Sequence, residues 1–256
     1  MLIFRVPHGA LAEYVRCLWL YRGEPSGFQS EIVMPTGDPD LVVDLTRART
    51  VASGPSNRPF VLDAGTRRET MGAVLKVGGA ATLVGVPLIE LRNRRVPLAA
   101  LWGRGAAELA ERALAAESAG ERLDSFQQVL AARVGLSSHR SHPLAGTAAA
   151  QIARCPAGCR VAELSDTLGL SARRLEQVFR TEVGLTPKAY QRLHRFRKAL
   201  AQVDRAADIG WAAFAVELGY YDQAHFIGDF RAHAGMTPSD YVATRGTELN
   251  HVPVEA

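Results

Sequence analysis

Between Ser171 and Leu200 stand eight basic side chains, Arg173, Arg174, Arg180, Lys188, Arg192, Arg195, Arg197 and Lys198, against two acidic ones, Glu176 and Glu182. So dense a surplus could hold phosphates, and a duplex bound to it would release counterions and bind less tightly as salt rises. Residues 201–256 carry the opposite balance, three basic against eight acidic. The first stretch is therefore expected to supply most of any phosphate attraction. Cys155 and Cys159, with His139 and His142 upstream, offer metal-ligand chemistry instead. A C-x3-C spacing that contains a proline is not a zinc pair, and no second pair follows. Neither metal nor cofactor is expected, and the cysteines read as structural. There is no nucleophile elbow, HExxH, phosphate loop or dinucleotide fingerprint, so the chain does not read as an enzyme.

The elements that must position these charges recur. Phe179, Gly184, Thr186, Pro187 and Tyr190 reappear 51 residues later as Phe230, Gly235, Thr237, Pro238 and Tyr241. Five identities in one register indicate two copies of a unit. Each copy reads helix, glycine turn, helix, the helix-turn-helix pattern. In the first, Val161, Leu164 and Leu168 form an apolar stripe ending at Gly169; Ser171 caps a helix carrying Leu175, Val178 and Phe179. In the second, the stripe reads Ile209, Ala212, Ala213 and Val216, and Asp222 caps a helix carrying Phe226, Ile227 and Phe230. Burying one face of the second helix leaves its opposite face and N-terminus free for the major groove. Thr186-Pro187 and Thr237-Pro238 cap two further helices, the second with Asp240 in a capping-box variant. In the helix after Pro187, Tyr190, Leu193, Phe196, Leu200 and Val203 make one stripe, and this helix reads as a rigid connector between the units. Units on one side of B-DNA would meet major-groove segments about one turn, ~34 Å, apart.

The segments VAELSDTLGLSARRLEQVFRTEVGLTPKAYQRLHRFRKAL and LGYYDQAHFIGDFRAHAGMTPSDY resemble the AraC-type family of bacterial transcription regulators. The resemblance covers roughly residues 143–243. A softer one links MPTGDPDLVVDL and GGAATLVGVPLIEL to the sensor domain of one subgroup. The family resemblance implies recognition helices at 171–182 and 222–234, binding to double-stranded DNA as monomer or homodimer, contact with RNA polymerase and response to a small effector. The positions that face bases correspond to Arg173, Glu176 and Gln177, with Arg174 near the backbone, and Arg180 and Lys188 join the first unit's DNA contacts. Arg173 could reach guanine, Gln177 adenine, and Glu176 the cytosine amine. In the second unit the matching positions are Gln223, Ala224, Ile227 and Gly228, with His225 and Arg231 alongside. Gly228 departs from the family, which often places a polar or basic residue there. The second unit is therefore expected to read bases weakly. An alternative follows from the same departure and from the acidic tail half: an interaction or adaptor protein that keeps the fold with weakened DNA contact.

Ahead of the repeat, residues 1 to about 95 carry short β-prone runs, Val15–Tyr21, Ile32–Met34, Leu41–Leu45, Phe60–Leu62 and Gly72–Val77, between Gly- and Pro-rich breakers. They predict an antiparallel sheet or barrel. From Leu98 to Val134 the helix formers Ala, Leu, Glu and Arg dominate. Leu109, Ala113 and Leu114 share one predicted face, Leu123, Phe126, Val129 and Leu130 another, and Gly120 marks the break. The fold class is thus an α+β N-terminal domain plus an all-α C-terminal domain with two helix-turn-helix units. The expected divisions are 1–135 for sensing or dimerisation, 136–142 as linker, 143–245 for DNA and 246–256 as tail. Trp19, Tyr21, Phe28, Phe60 and Leu75 could line an effector pocket, with Glu31, Arg67 or Arg68 fixing polarity, or could equally be ordinary core and surface. Three cysteines are too few for a disulfide framework. No apolar run reaches the ~18–20 residues of a membrane span. The N-terminus lacks a signal pattern, so a cytoplasmic protein is expected.

Overall fold

The computed structural model describes residues 1–23, 30–63, 69–203, 210–245 and 251–254. Eight strands precede residue 98: β1 (Leu2–Arg5), β2 (Val15–Arg22), β3 (Ser30–Val33), β4 (Asp40–Asp44), β5 (Arg49–Ser53), β6 (Phe60–Asp63), β7 (Glu69–Leu75) and β8 (Arg95–Pro97). Six of them form an antiparallel sheet in the order β1-β2-β7-β4-β5-β8. Alternation sends Leu18, Leu20, Leu41, Val43, Met71, Ala73 and Leu75 to one face, all at most 1% exposed. That face packs on α1 (Ala80–Val84), α2 (Ala99–Trp102), α3 (Arg104–Ala115) and α4 (Ala119–Leu136) through Trp102, Leu109, Ala113, Leu123, Phe126 and Leu130. Burying each large side chain here contributes about 1.5–3 kcal/mol.

Two helix readings shift. Leu114 is 44% exposed and off the face shared by Leu109 and Ala113. The break between α3 and α4 falls at 116–118, ahead of Gly120, because Ser118 and Glu121 form a capping box at the start of α4. The β-strand runs are all present, and β1, β5 and β8 join them.

The C-terminal half is α5 (Pro143–Arg154), α6 (Val161–Thr167), α7 (Ala172–Glu182), α8 (Pro187–Val203), α9 (Trp211–Glu217), α10 (Gln223–Ala234) and α11 (Pro238–Thr244). The chain then returns to the front: β9 (His251–Val254) pairs antiparallel with β3, giving a second sheet β6-β3-β9. The MPTGDPD segment is a clamp between the halves. Met34 is 1% exposed inside the helical core, and the bare Cα of Gly37 (φ 76°) seats the Leu193 side chain. Asp38 bridges Arg16 on β2 (2.7 Å) and Arg197 on α8 (3.7 Å). Beside it His194 is driven down to a pKa of about 4 by burial and the Arg197 charge, so it is neutral near pH 7.

Candidate DNA interface

Each repeat builds its second helix the same way. Gly169 (φ 64°) and Gly219 (φ 76°) make the left-handed turns that let α6 reverse into α7 and α9 into α10. Ser171 Oγ accepts from the Arg174 amide (3.2 Å), and Asp222 Oδ1 from the His225 amide (2.7 Å). Leu175, Val178 and Phe179 then bury one face of α7, and Phe226 and Phe230 one face of α10. Beyond each, Gly184 and Gly235 both adopt φ 76°. Thr186 and Thr237 cap α8 and α11, the latter in a full box with Asp240. The repeated rings even meet alike: Phe179–Tyr190 and Phe230–Tyr241 centroids are both 5.9 Å apart.

The faces left over are those assigned to DNA. Arg173, Arg174, Glu176, Gln177 and Arg180 are exposed on α7, and Lys188 on the first turn of α8. Gln223, Ala224, His225, Gly228 and Arg231 are exposed on α10, with Ile227 half-buried. Arg174 Nη1 donates to Gln177 Oε1 (2.9 Å), and Arg180 pairs with Glu176 (3.1 Å). These exposed contacts are worth about 1 kcal/mol or less and exchange readily for contacts with bases or phosphates.

The basic surplus is smaller than the composition suggests. Arg192 pairs with Asp229 (2.5 Å), as does Arg195 more distantly (3.7 Å), and Arg197 is taken by Asp38. Asp229, 1% exposed at its side chain, also accepts from the Tyr220 hydroxyl (3.0 Å), and Arg195 lies over the Tyr220 ring at 4.2 Å. A carboxylate that looks set to repel phosphate is thus turned inward, tying α10 to the connector α8. Composition cannot show this; only the 37-residue separation of Arg192 and Asp229 in the folded chain does. Among the described residues, Arg173, Arg174, Lys188 and Lys198 have no ion pair.

The buried stripe of α9 differs from the expected one. Ala212, Ala213 and Val216 are exposed, while Ala215 and Leu218 are buried with Trp211 and Phe214 packed beside them; Ile209 lies outside the described residues. The bulky aromatics win the core because they remove more apolar area from water than two alanines can. Trp211 stacks on Phe226 at 5.9 Å, as core and not as a base platform.

The front domain touches both units at matching places. Its Gly54–Pro59 segment sets Pro55 against Gly184, where an added Cβ would come within 2.4 Å, and Pro59 near Gly235 at 3.6 Å. His233 Nδ1 meets Asn57 O at 2.8 Å. These contacts hold the C-terminal ends of α7 and α10 and leave their N-terminal halves open. The linker runs beside α7, where His139 pairs with buried Glu182 (3.1 Å) and His142 caps α5. Neither histidine joins Cys155 or Cys159, which are free thiols. Burial raises the Cys159 pKa above its ordinary value, which keeps that thiol protonated.

A family described as "Helix-turn-helix domain" matches residues 164–244. Residues 164–244 are a helix-turn-helix domain. Its two units stand on either side of one connecting helix, with the repeated motif residues in equivalent places. Residues 4–97 match a domain of unknown function, DUF6597. No curated protein matches the chain. Among solved structures, ToxT from Vibrio cholerae is 11% identical with 95% of this chain and 97% of that one covered, at a TM-score of 0.45. A DNA-binding transcriptional dual regulator from Escherichia coli K-12 is 23% identical over 42% of this chain and 96% of that one, at 0.35.

The residues proposed for an effector pocket are not gathered together. Leu75 is buried on the helix-facing side of the large sheet, whereas Trp19 lies across Gly72 on the other side. Tyr21 follows Trp19 by two and shares its face, Glu31 stands on β3, and Phe60 on β6 lies beneath Arg95. Phe28, Arg67 and Arg68 lie outside the described residues. Among the described residues no helix is long and apolar enough to cross a membrane.

Proposed function

We propose that this chain is a sequence-specific, double-stranded-DNA-binding transcription regulator, with α7 as the principal reading helix and the front domain as its sensing partner. One observation carries the reading: both recognition helices bury an apolar face and expose the side that carries Arg173, Gln177 and Gln223. Arg173 is assigned to guanine, Gln177 to adenine, and Arg174, Arg180 and Lys188 to phosphates. His225 and Arg231 add phosphate contacts beside Gln223 in the second unit. Homodimerisation through the front domain, a contact with RNA polymerase and a small effector complete the proposal. Leu2 and Phe4, 53% and 65% exposed on the edge strand β1, support the dimer.

Selecting duplexes from a random pool and measuring their affinity by fluorescence anisotropy tests the reading. The expected outcome is a selected sequence bound at least a thousandfold more tightly than random duplex, roughly the lower bound for specific recognition, with affinity falling steeply with salt. Equal affinity for selected and random DNA would refute it.

A further inference from the structure

The large sheet of the front domain carries an open basin of about 560 Å³ at its β4-β5-β8 end. Strand register explains its make-up. Val42 is opposite Val51, and Val51 opposite Pro97, so these side chains form a continuous apolar floor. Two residues along β5 in one direction is Arg49; two in the other is Ser53, whose partner on β8 is Arg95. Four residues of strand span about 13 Å, so the two guanidiniums spring from opposite ends of the floor.

The charges there are not equivalent. Asp44 accepts from the turn amides of Thr46 (3.1 Å) and Arg47 (3.0 Å) and pairs with the Arg47 side chain (3.8 Å). Among the described residues the Arg49 side chain has neither an ion pair nor a hydrogen bond, although Asp44 is its cross-strand partner. Arg95 has no ion pair either; it makes a 3.3 Å bond to Ser53 Oγ and rests over the Phe60 ring at 4.8 Å, which steadies the guanidinium and leaves donors free. Two unmatched guanidiniums at the ends of an apolar strip, in a basin of ordinary ligand size, call for a particular chemistry.

We propose that this basin binds a small organic dianion, whose two terminal carboxylate or phosphate groups engage Arg49 and Arg95 and whose apolar body lies on Val42, Val51 and Pro97. The site deepens the effector reading above, and rests on it only for the claim that occupancy changes DNA binding.

Isothermal titration of the full chain at low salt tests the site with terephthalate, which carries carboxylates at opposite ends of an apolar ring. Benzoate, succinate and the neutral 1,4-benzenedimethanol serve as comparisons. Terephthalate is expected to bind one to one, at least tenfold more tightly than any of the three. Arg49→Gln and Arg95→Gln, both at exposed positions that should leave melting temperature intact, should each weaken it at least tenfold. Arg173→Gln, on the DNA face, should leave terephthalate affinity alone. No saturable heat at millimolar terephthalate, or equal losses in the Arg49 and Arg173 variants, overturns the site. Succinate binding as tightly as terephthalate overturns the role of the apolar floor. Adding terephthalate to the anisotropy assay separates the two readings: binding without a change in DNA affinity removes the regulatory claim and leaves the site standing.

Discussion

The two helix-turn-helix units share a backbone and differ in what they offer a duplex. Their glycine turns, caps and Phe–Tyr contacts superimpose in kind, to the same φ at Gly184 and Gly235. The first opens its recognition helix with a neutral cap, Ser171, followed by Arg173 and Arg174. The second opens with an acidic cap, Asp222, followed by Gln223 and Ala224, and its central exposed position is Gly228. Phosphate near a helix N-terminus is favoured by free amides and positive charge, and an aspartate there opposes it. In the function proposed above the duplicated scaffolds carry unequal work: the first unit supplies recognition, and the second a braced platform, held by Asp229 to α8.

Cutting that brace should have the largest effect. Asp229→Ala leaves Arg192 and Arg195 facing each other without their common counter-charge and strands the Tyr220 hydroxyl. Breaking such a buried pair costs about 3–5 kcal/mol, less whatever the half-exposed Arg192 recovers from water. A loss near 3 kcal/mol in urea unfolding is expected, with unit two most affected in hydrogen exchange. A loss below about 1 kcal/mol would show that the brace is dispensable and the units are held by apolar packing alone.

The two equivalent glycines give a matched pair of tests. Alanine in the left-handed region costs about 1–2 kcal/mol at either. At Gly184 the new methyl also meets Pro55 Cγ at 2.4 Å and the Leu88 carbonyl oxygen at 2.8 Å, whereas at Gly235 the nearest atom is 3.6 Å away. Overpacking of this kind adds about 1–3 kcal/mol. Gly184→Ala should therefore be the more destabilising by at least about 1 kcal/mol in thermal or chemical unfolding. Equal losses would mean that the front domain does not press on the first unit in solution.

On DNA, Arg173→Ala should cost about 1–3 kcal/mol and relax preference at one base pair. Arg231→Ala should weaken binding less than about threefold, because Arg231 sits in the last turn of α10, a helix with little base-reading chemistry, and lies near Asp240. Comparable losses by anisotropy on one selected duplex would erase the proposed division of labour. So would unchanged base preference in Arg173→Ala.

Local signals made much of this legible beforehand. Gly169, Ser171, Thr186, Pro187 and their repeats carry their message within four or five residues, as do the strand runs at Val15 and Leu41. What stayed hidden needed contacts distant in sequence. Arg192, Arg195 and Arg197 count as free charges in any tally of composition, yet Asp229 and Asp38 claim them. The α9 stripe went astray because small alanines fit either side of a short helix, and Trp211 and Phe214 settle the matter only once Phe226 is beside them. The basin at Arg49 and Arg95 depends on the register of β4, β5 and β8, two strands of which have too little apolar alternation to be seen alone.

Gly228 offers the mildest change and the clearest sharpening of the contrast. No atom outside its own helix lies within 4 Å of where its Cβ would be, so neither packing nor a positive φ demands glycine there. Gly228→Ala should then stabilise the chain by about 1 kcal/mol through helix propensity alone, read as a higher urea midpoint. If the second unit is a platform lacking only a contact residue, Gly228→Lys should go further and raise duplex affinity, with a steeper salt dependence. Should Gly228→Lys leave both unchanged while Gly228→Ala stabilises as expected, α10 does not reach the duplex at all. The second unit would then be a brace and nothing more.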